Sequence, residues 1–346
     1  MSAPRIRVFV GPGGVGKTSL AAGYALARAH AGSRVLVQTF DPSWRLKDAL
    51  GMGEERTTVD VALPASAHRA GRLTASLLDV RRTFDEVVAR YSPSAEDRDR
   101  ILEHRFYRGL AGDLAGVLEY MAVERLYELQ ESGRFDELVL DTPPARQAFD
   151  LFEAPRRIVD FLDSGAAQLG ARPWFDGRGR LILPAGLALV RGRVEEFLDS
   201  TFGLDFLREL ADFFAAFTPL YGGFRDRAEA VDRLLRSERT RFLLVIGPRA
   251  ERLAEASFFA RRLEQRGLHL AGVAINRLRP RIPTPRRGAA EGWRILHRAG
   301  ERDFHGAALL ESSLGGLRVV RIPEKPGASG DLEAFRRLGE PLHPLF

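Results

Sequence analysis

The stretch Gly11 to Thr18 reads GPGGVGKT and satisfies G-x-x-x-x-G-K-[ST], the pattern of a phosphate-binding loop. Its chemistry follows from its residue types. Gly11, Gly13, Gly14 and Gly16 permit φ values closed to most side chains, so successive N–H groups, that of Val15 among them, can turn inward toward phosphate oxygens. Lys17 brings a cation to the β- and γ-phosphates, the Thr18 hydroxyl is a ligand for Mg²⁺, and a helix opening through Lys17, Thr18 and Ser19 adds the positive end of its dipole. The ligands this predicts are ATP or ADP with Mg²⁺. Such a site also needs a carboxylate for the metal at the end of a neighbouring strand. Two aspartates qualify: Asp141, which follows ELVL and opens DTPP, and Asp41, which follows RVLVQTF and opens DPSWRL. Either aspartate is also of the type that simply caps a following helix.

The elements that must carry these residues are legible around them. Arg5 to Val10 is a β-branched and aromatic run entering the loop, and TSLAAGYALARAHA leaves it with helix-favouring Ala and Leu. After Gly32 and Ser33, Arg34 to Phe40 predicts a second buried strand, completing a βαβ unit. Further strands are predicted at Glu137 to Leu140, Phe242 to Ile246, Ala271 to Ile275 and Leu317 to Ile322, and none is read between Phe40 and Glu137. The expected fold is α/β: a P-loop NTPase with a mostly parallel central sheet flanked by helices. Two long intervals read as helical. In Asp97 to Glu131, Ile101, Leu110, Leu114, Val117, Met121 and Leu129 recur at near-helical spacing, weakened by Gly109, Gly112 and Gly116. In Gln147 to Glu238, Phe206, Leu210, Phe213, Phe217 and Leu220 share one stripe, which serves either as core or as a client groove. These intervals predict helical insertions forming a helical subdomain from about 80–132 and 147–238, within a single P-loop ATPase domain spanning 1–346.

Composition narrows the function classes. The chain has 346 residues and no cysteine, which excludes disulfides, thiolate metal sites, iron–sulfur clusters and cysteine nucleophiles, and suits a reducing cytoplasm. No signal-peptide succession is read at the start, and the longest apolar stretch, Leu181 to Val190, is broken by Pro184 and Gly186 and is too short to cross a bilayer. The expected location is cytoplasmic, with peripheral contact at a membrane compatible with it. The net charge is +6, with lysine only at Lys17, Lys47 and Lys325. Because the arginines interleave with Asp and Glu, they read as a solvated face, and no nucleic-acid partner is expected. The densest run, Arg277, Arg279, Arg281, Arg286 and Arg287, holds Pro280, Pro283 and Pro285 and reads as an exposed surface loop, with a phosphate-binding arm as the alternative. The seven histidines have no metal-ligand spacing.

GPGGVGKT, DPSWRLKDAL, DTPPARQAFDLFEAPRR and GVAINR together resemble segments of the arsenite-pump ATPase family, which includes the tail-anchored-protein targeting ATPases. That family's segments are GKGGVGKT, a switch I beginning DPA, a switch II beginning DTAP, and a strand end VVNQ or VVNR. The segment Phe106 to Leu129 resembles bacterial anion-transporting-type members of unassigned cargo. The resemblance implies that Asp41 positions or deprotonates the attacking water and that Asp141 serves Mg²⁺, directly or through water. It also implies that Asn276 bonds adenine and that the loop Ile322 to Gly327, around Pro323, borders the base. By the same resemblance the protein is a dimeric ATP hydrolase whose nucleotide-driven shape change is its output, acting on a hydrophobic protein client or at a membrane surface. Two departures matter. Pro12 stands where the family has a lysine that crosses to the partner's phosphates. This points to a homodimer using a local arginine such as Arg45 or Arg146, or to a heterodimer with a related subunit that keeps the lysine. The absence of cysteine removes thiol arsenite and zinc sites. Two other classes share the loop: membrane- or pole-positioning ATPases of the partition or division-site type, for which DLEAFRRLGEPLHPLF is a short candidate tail, and small-molecule kinases, whose acceptor pocket and lid are not found.

Overall fold

Runs such as RVFV, VLV and LLVI are apolar on both faces, and strands of that kind are stable only when covered on both sides. A computed structural model of the chain describes residues 3–39, 58–64, 68, 71–105, 107, 117–164, 204–286, 288, 290–324 and 332–346. These runs become β1 (Arg5–Val10), β2 (Arg34–Thr39), β5 (Glu137–Asp141), β6 (Thr240–Ile246), β7 (Leu270–Leu278) and β8 (Val319–Pro323). Two further strands, β3 (Thr58–Val61) and β4 (Arg72–Leu77), complete an eight-stranded sheet of order β3-β4-β2-β5-β1-β6-β7-β8. Every neighbouring pair is parallel except β3 with β4. The first strand therefore lies inside the sheet, with β5 on one side and β6 on the other, and its carboxyl end opens where chain connections depart to both sides, the usual position for a ligand in such sheets.

The strands β3 and β4 correct the expectation that no strand lies between Phe40 and Glu137. TVDV is four residues long and sits at the edge, and RLTASL buries Leu73 and Ala75 while Arg72 and Thr74 alternate with them. Half-polar alternation over so few residues dilutes the compositional signal of a strand. Pairing supplies the difference: Val35 faces Leu73 and Val37 faces Ala75, and across the antiparallel edge Thr74 donates to Asp60 at 2.7 Å.

The chain divides into two compact units. The first comprises 1–78, 125–149 and 233–346. It holds the whole sheet, α1 (Lys17–His30), parts of α4 (Val117–Glu131) and α5 (Ala145–Asp163), and the helices α8 (Leu253–Gln265), α9 (Glu291–Ser313) and α10 (Leu332–Gly339). Small residues bring α1 and α10 unusually close: a Cβ on Gly23 would stand 2.4 Å from the Phe335 carbonyl oxygen, and one on Gly339 only 2.1 Å from the Gly23 carbonyl carbon. Phe335, Leu342 and Leu345 of the C-terminal segment are thereby buried in the same core as Leu20, Tyr24 and Val35. At the sheet's amino edge the buried Glu137 carboxylate is satisfied by three donors. Arg7 Nε lies at 3.0 Å, Arg28 Nε at 2.8 Å and the Tyr24 hydroxyl at 2.7 Å, which fastens α1 to β1 and β5. Burial, reinforced by this carboxylate, pushes the Tyr24 hydroxyl well above the ordinary phenol range.

The second unit comprises 79–124 and 150–232, and its described elements are helical. It includes α2 (Val80–Tyr91), α3 (Ala95–Glu103), α6 (Leu204–Phe217) and most of α7 (Tyr221–Leu235). Side chains set the helix starts: Asp79 accepts from the Arg82 N–H at 2.9 Å and Ser94 from that of Asp97 at 3.0 Å. Phe84, Tyr107, Phe213, Phe217 and Phe224 pack ring to ring in its core. Of the stripe predicted on α6, Phe213 and Leu220 are buried and Phe206 is exposed, while the side chain of Leu210 lies outside the described residues. A buried ion pair, Arg227 Nε to Glu124 at 2.8 Å, sits beside the Tyr120 hydroxyl; burial pushes the Glu124 carboxyl up, with Arg227 opposing. Gly109, Gly112, Gly116 and the run Leu181 to Val190 lie outside the described residues. Among the described residues no helix is long and apolar enough to cross a membrane.

Candidate functional site

The glycine loop leaves the carboxyl end of β1 and enters α1. Gly11 has φ 149°, and a Cβ there would stand 2.1 Å from the Val245 carbonyl oxygen, so only glycine lets the chain turn this close to β6. Gly16, with φ 90°, ends the loop in a left-handed conformation and caps α1. At Gly13 and Gly14 a Cβ would meet nothing within 4 Å, so this side of the loop is open. Val15 is buried, and Ser19 is half-buried in the first turn of α1, where backbone N–H groups lack helical partners. Lys17 is buried, and its ammonium donates to the carbonyl oxygens of Gly11 at 3.0 Å and Pro12 at 2.9 Å, curling over the loop it follows.

The sheet brings Asp141 to the same edge. Phe9 of β1 and Thr39 of β2 both pair with Asp141 across β5. Its Oδ2 accepts from Thr18 Oγ1 at 2.7 Å and from Thr39 Oγ1 at 3.1 Å. Thr142 next to it donates to the Phe9 carbonyl at 2.7 Å, anchoring the strand end against β1. One buried carboxylate and a hydroxyl in direct contact, all oxygen donors, fit a hard cation such as Mg²⁺, which takes few protein ligands and completes its shell with phosphate and water oxygens. The loop fits a phosphate chain, with its glycines turned and its outer side open.

On the other side of the loop, Asn276 of β7 donates its amide to the Val15 carbonyl at 2.8 Å, and Arg277 donates to the Gly14 carbonyl at 2.6 Å. Pro323 ends β8 in register with Leu278 and is exposed at this edge. A cavity of about 640 Å³ opens here, lined by Gly13, Gly14, Val15, Arg277, Arg279 and Glu324 among others. That volume suits a nucleotide-sized ligand.

The structure therefore gathers Gly11 to Ser19, Asp141, Asn276 and Pro323 at one sheet edge. Asp41 and Arg45 lie outside the described residues, as does the side chain of Arg146. Two contacts at this edge, those of Thr39 and Thr142, were missed by sequence reasoning. Thr39 is a polar residue at the carboxyl end of β2, a signal that was present, whereas the contact of Thr142 with Phe9 has no sequence signature. Arg277 begins the cationic run that reads from sequence as an exposed loop. Arg277 instead lies in β7 and bonds the glycine loop, while the members after it keep the loop reading, Arg279 in a two-pronged pair with the fully buried Asp303 and the exposed Arg281 paired with Glu301. The partners lie far along the chain, on the phosphate loop and on α9, where charge counting along the sequence does not find them.

A glycine loop between an interior parallel strand and a helix, with a lysine curled over it and a serving aspartate one strand away, defines a P-loop nucleotide-binding α/β protein. Residues 4–168 match the model of the anion-transporting ATPase family. A Chlorobaculum tepidum protein with the provisional name arsenical pump-driving ATPase is 30% identical over 157 residues, which is 44% of this chain and 36% of that protein. The ATPase GET3B of Arabidopsis thaliana is 25% identical over 286 residues, 78% of this chain and 63% of its own length. Protein Rv2184c of Mycobacterium tuberculosis is 31% identical over 159 residues, 44% of this chain and 37% of its own. The chain thus spans little more than a third of the length of the Chlorobaculum and Mycobacterium relatives (36% and 37%). Fold, site and matches agree, and the segment 4–168 belongs to the anion-transporting ATPase family.

Proposed function

We propose that the protein is a Mg²⁺-dependent ATP hydrolase working as a dimeric, nucleotide-driven conformational switch in the cytoplasm, with a hydrophobic protein client or a peripheral membrane contact as its target. The observation that carries this reading is the 2.7 Å contact between Thr18 and Asp141 at the foot of a loop over which Lys17 is curled. In this reading the loop N–H groups and Lys17 hold the β- and γ-phosphates, Lys17 exchanging the Gly11 and Pro12 carbonyls for phosphate oxygens. Bound Mg²⁺ supplies charge neutralisation at the transferring phosphoryl group. Thr18 and Asp141 hold that ion, Asp141 directly or through water, and Asn276 and Pro323 border the base. Asp41 orients the attacking water. Loss of the γ-phosphate releases the segments that follow Asp41 and Asp141, and the helical subdomain, drawn from about 80–132 and 147–238, responds to that difference. The partner is a second copy or a related subunit that supplies the lysine absent at Pro12.

The partition or division-site reading is less well supported, because its candidate membrane tail buries Phe335, Leu342 and Leu345 in the core. The test is phosphate release from ATP by the full chain. The reading expects release in Mg²⁺, none in chelator, and a fall of about 100-fold in Asp141→Asn. Equal release by parent and Asp141→Asn contradicts it.

A further inference from the structure

Arg277 holds a backbone conformation that an arginine adopts only at a cost. Its φ is 62°, the one positive value at a residue other than glycine among the described residues. The cause is a bulge: Ile275 pairs with Arg321 and Leu278 with Pro323, so β7 advances three residues while β8 advances two. Glycine is the usual occupant of such a left-handed position, because a Cβ there crowds the following carbonyl. Strain of this kind, kept at a cleft, is a pointer to binding.

The side chain reaches the loop. Its Nη1 donates to the Gly14 carbonyl at 2.6 Å, and its Nε lies 3.7 Å from where a Cβ on Gly16 would stand. Asn276, the residue before it, is tied to Val15 at 2.8 Å, so the bulge and the loop are held as one piece. The cleft's other arginines include two engaged with carboxylates, Arg252 with Glu255 and Arg279 with Asp303, both at 2.7 Å. Among the described residues no carboxylate forms an ion pair with Arg277, whose side chain is exposed to the cleft. A guanidinium bound to a carbonyl, rather than neutralised by an acid, keeps its charge for an anion, and its fork of N–H donors matches phosphate oxygens.

Resting on the nucleotide reading above, we propose that Arg277 is a phosphate-binding residue, contacting the phosphate chain of a bound nucleoside di- or triphosphate at the rim of the loop, on the side of the base. A ligand with its base near Asn276 and Pro323 and its terminal phosphates in the loop passes this guanidinium between its two ends. Contact with the ligand replaces one hydrogen bond to Gly14 by charge-assisted bonds to phosphate.

The experiment is calorimetric titration of the full chain with ADP in the parent, Arg277→Gln, Arg277→Gly and Lys17→Ala, with thermal melts of each without nucleotide. Glutamine keeps an N–H donor for the Gly14 carbonyl and removes the charge; glycine also removes the left-handed strain. The expected result is an ADP affinity lower by about 10-fold or more in both Arg277 variants. Arg277→Gly should melt no lower than the parent, and the parent's affinity should fall more steeply with salt than that of Arg277→Gln. If Lys17→Ala loses ADP while Arg277→Gln binds it within about 2-fold of the parent, the assignment alone is overturned and Arg277 is only a latch for the loop. A parent without measurable ADP affinity overturns the nucleotide reading, and this assignment with it.

Discussion

Among the described residues, the proposed grip on phosphate and metal asks for few side chains: Lys17, held by the Gly11 and Pro12 carbonyls, and Thr18 with Asp141, which hold each other with Thr39. Away from this site, His343 is one of two described histidines, with His104, whose protonation the fold resists. It is half-buried, its ring meets Tyr24 edge-on at 5.5 Å, and its Nε2 is buried without a hydrogen-bond partner. Burial first, then the nearby Arg28 cation, hold its pKa below the usual 6.5, against the pull of Glu137 and Glu340. Since the folded value lies below the unfolded one, the unfolded chain takes up this proton more readily. The stability contributed is fully present above about pH 6.5 and is lost as pH falls through the folded value. Urea midpoints of the parent should therefore drop between pH 7 and pH 5 by more than those of His343→Leu; parallel drops in the two proteins would remove His343 from the cause.

At the scale of elements, α1 is the piece on which site and fold meet. Its first turn carries Lys17, Thr18 and Ser19, its middle packs against α10, and its far end reaches Glu137 through Arg28. Gly339→Ala places a methyl 2.1 Å from the Gly23 carbonyl carbon, which is backbone and cannot turn aside. Overpacking of this kind costs about 1–3 kcal/mol, read as a lower urea midpoint. An unchanged midpoint would mean that the two helices are free to separate. The strands entering the site were legible, because central parallel strands must be apolar on both faces and the loop follows one of them. The edge strand β3 and its neighbour β4 were not, because their stability comes from pairing, β4 with β2 and the two with each other. Asp141 was legible from its place after ELVL and before two prolines. The role proposed for Arg277 was legible only as the phosphate-binding alternative for its cationic run, because it depends on a one-residue bulge that only the register between β7 and β8 reveals.

For the molecule as a whole, the sheet-bearing unit holds every described residue assigned to the nucleotide, and the second unit holds an aromatic core and a buried Arg227–Glu124 pair but none of them. The proposed function thus assigns binding to the first unit and response to the second. That division has meaning only if the loop grips a triphosphate. The direct measurement is equilibrium binding of ATP with Mg²⁺ to the full chain and to Lys17→Ala. Removal of a buried ammonium that makes two or more charge-assisted hydrogen bonds to phosphate predicts about a 100-fold loss of affinity with the fold intact. Equal affinity in the two proteins, or no affinity in the parent, would contradict the account at its base.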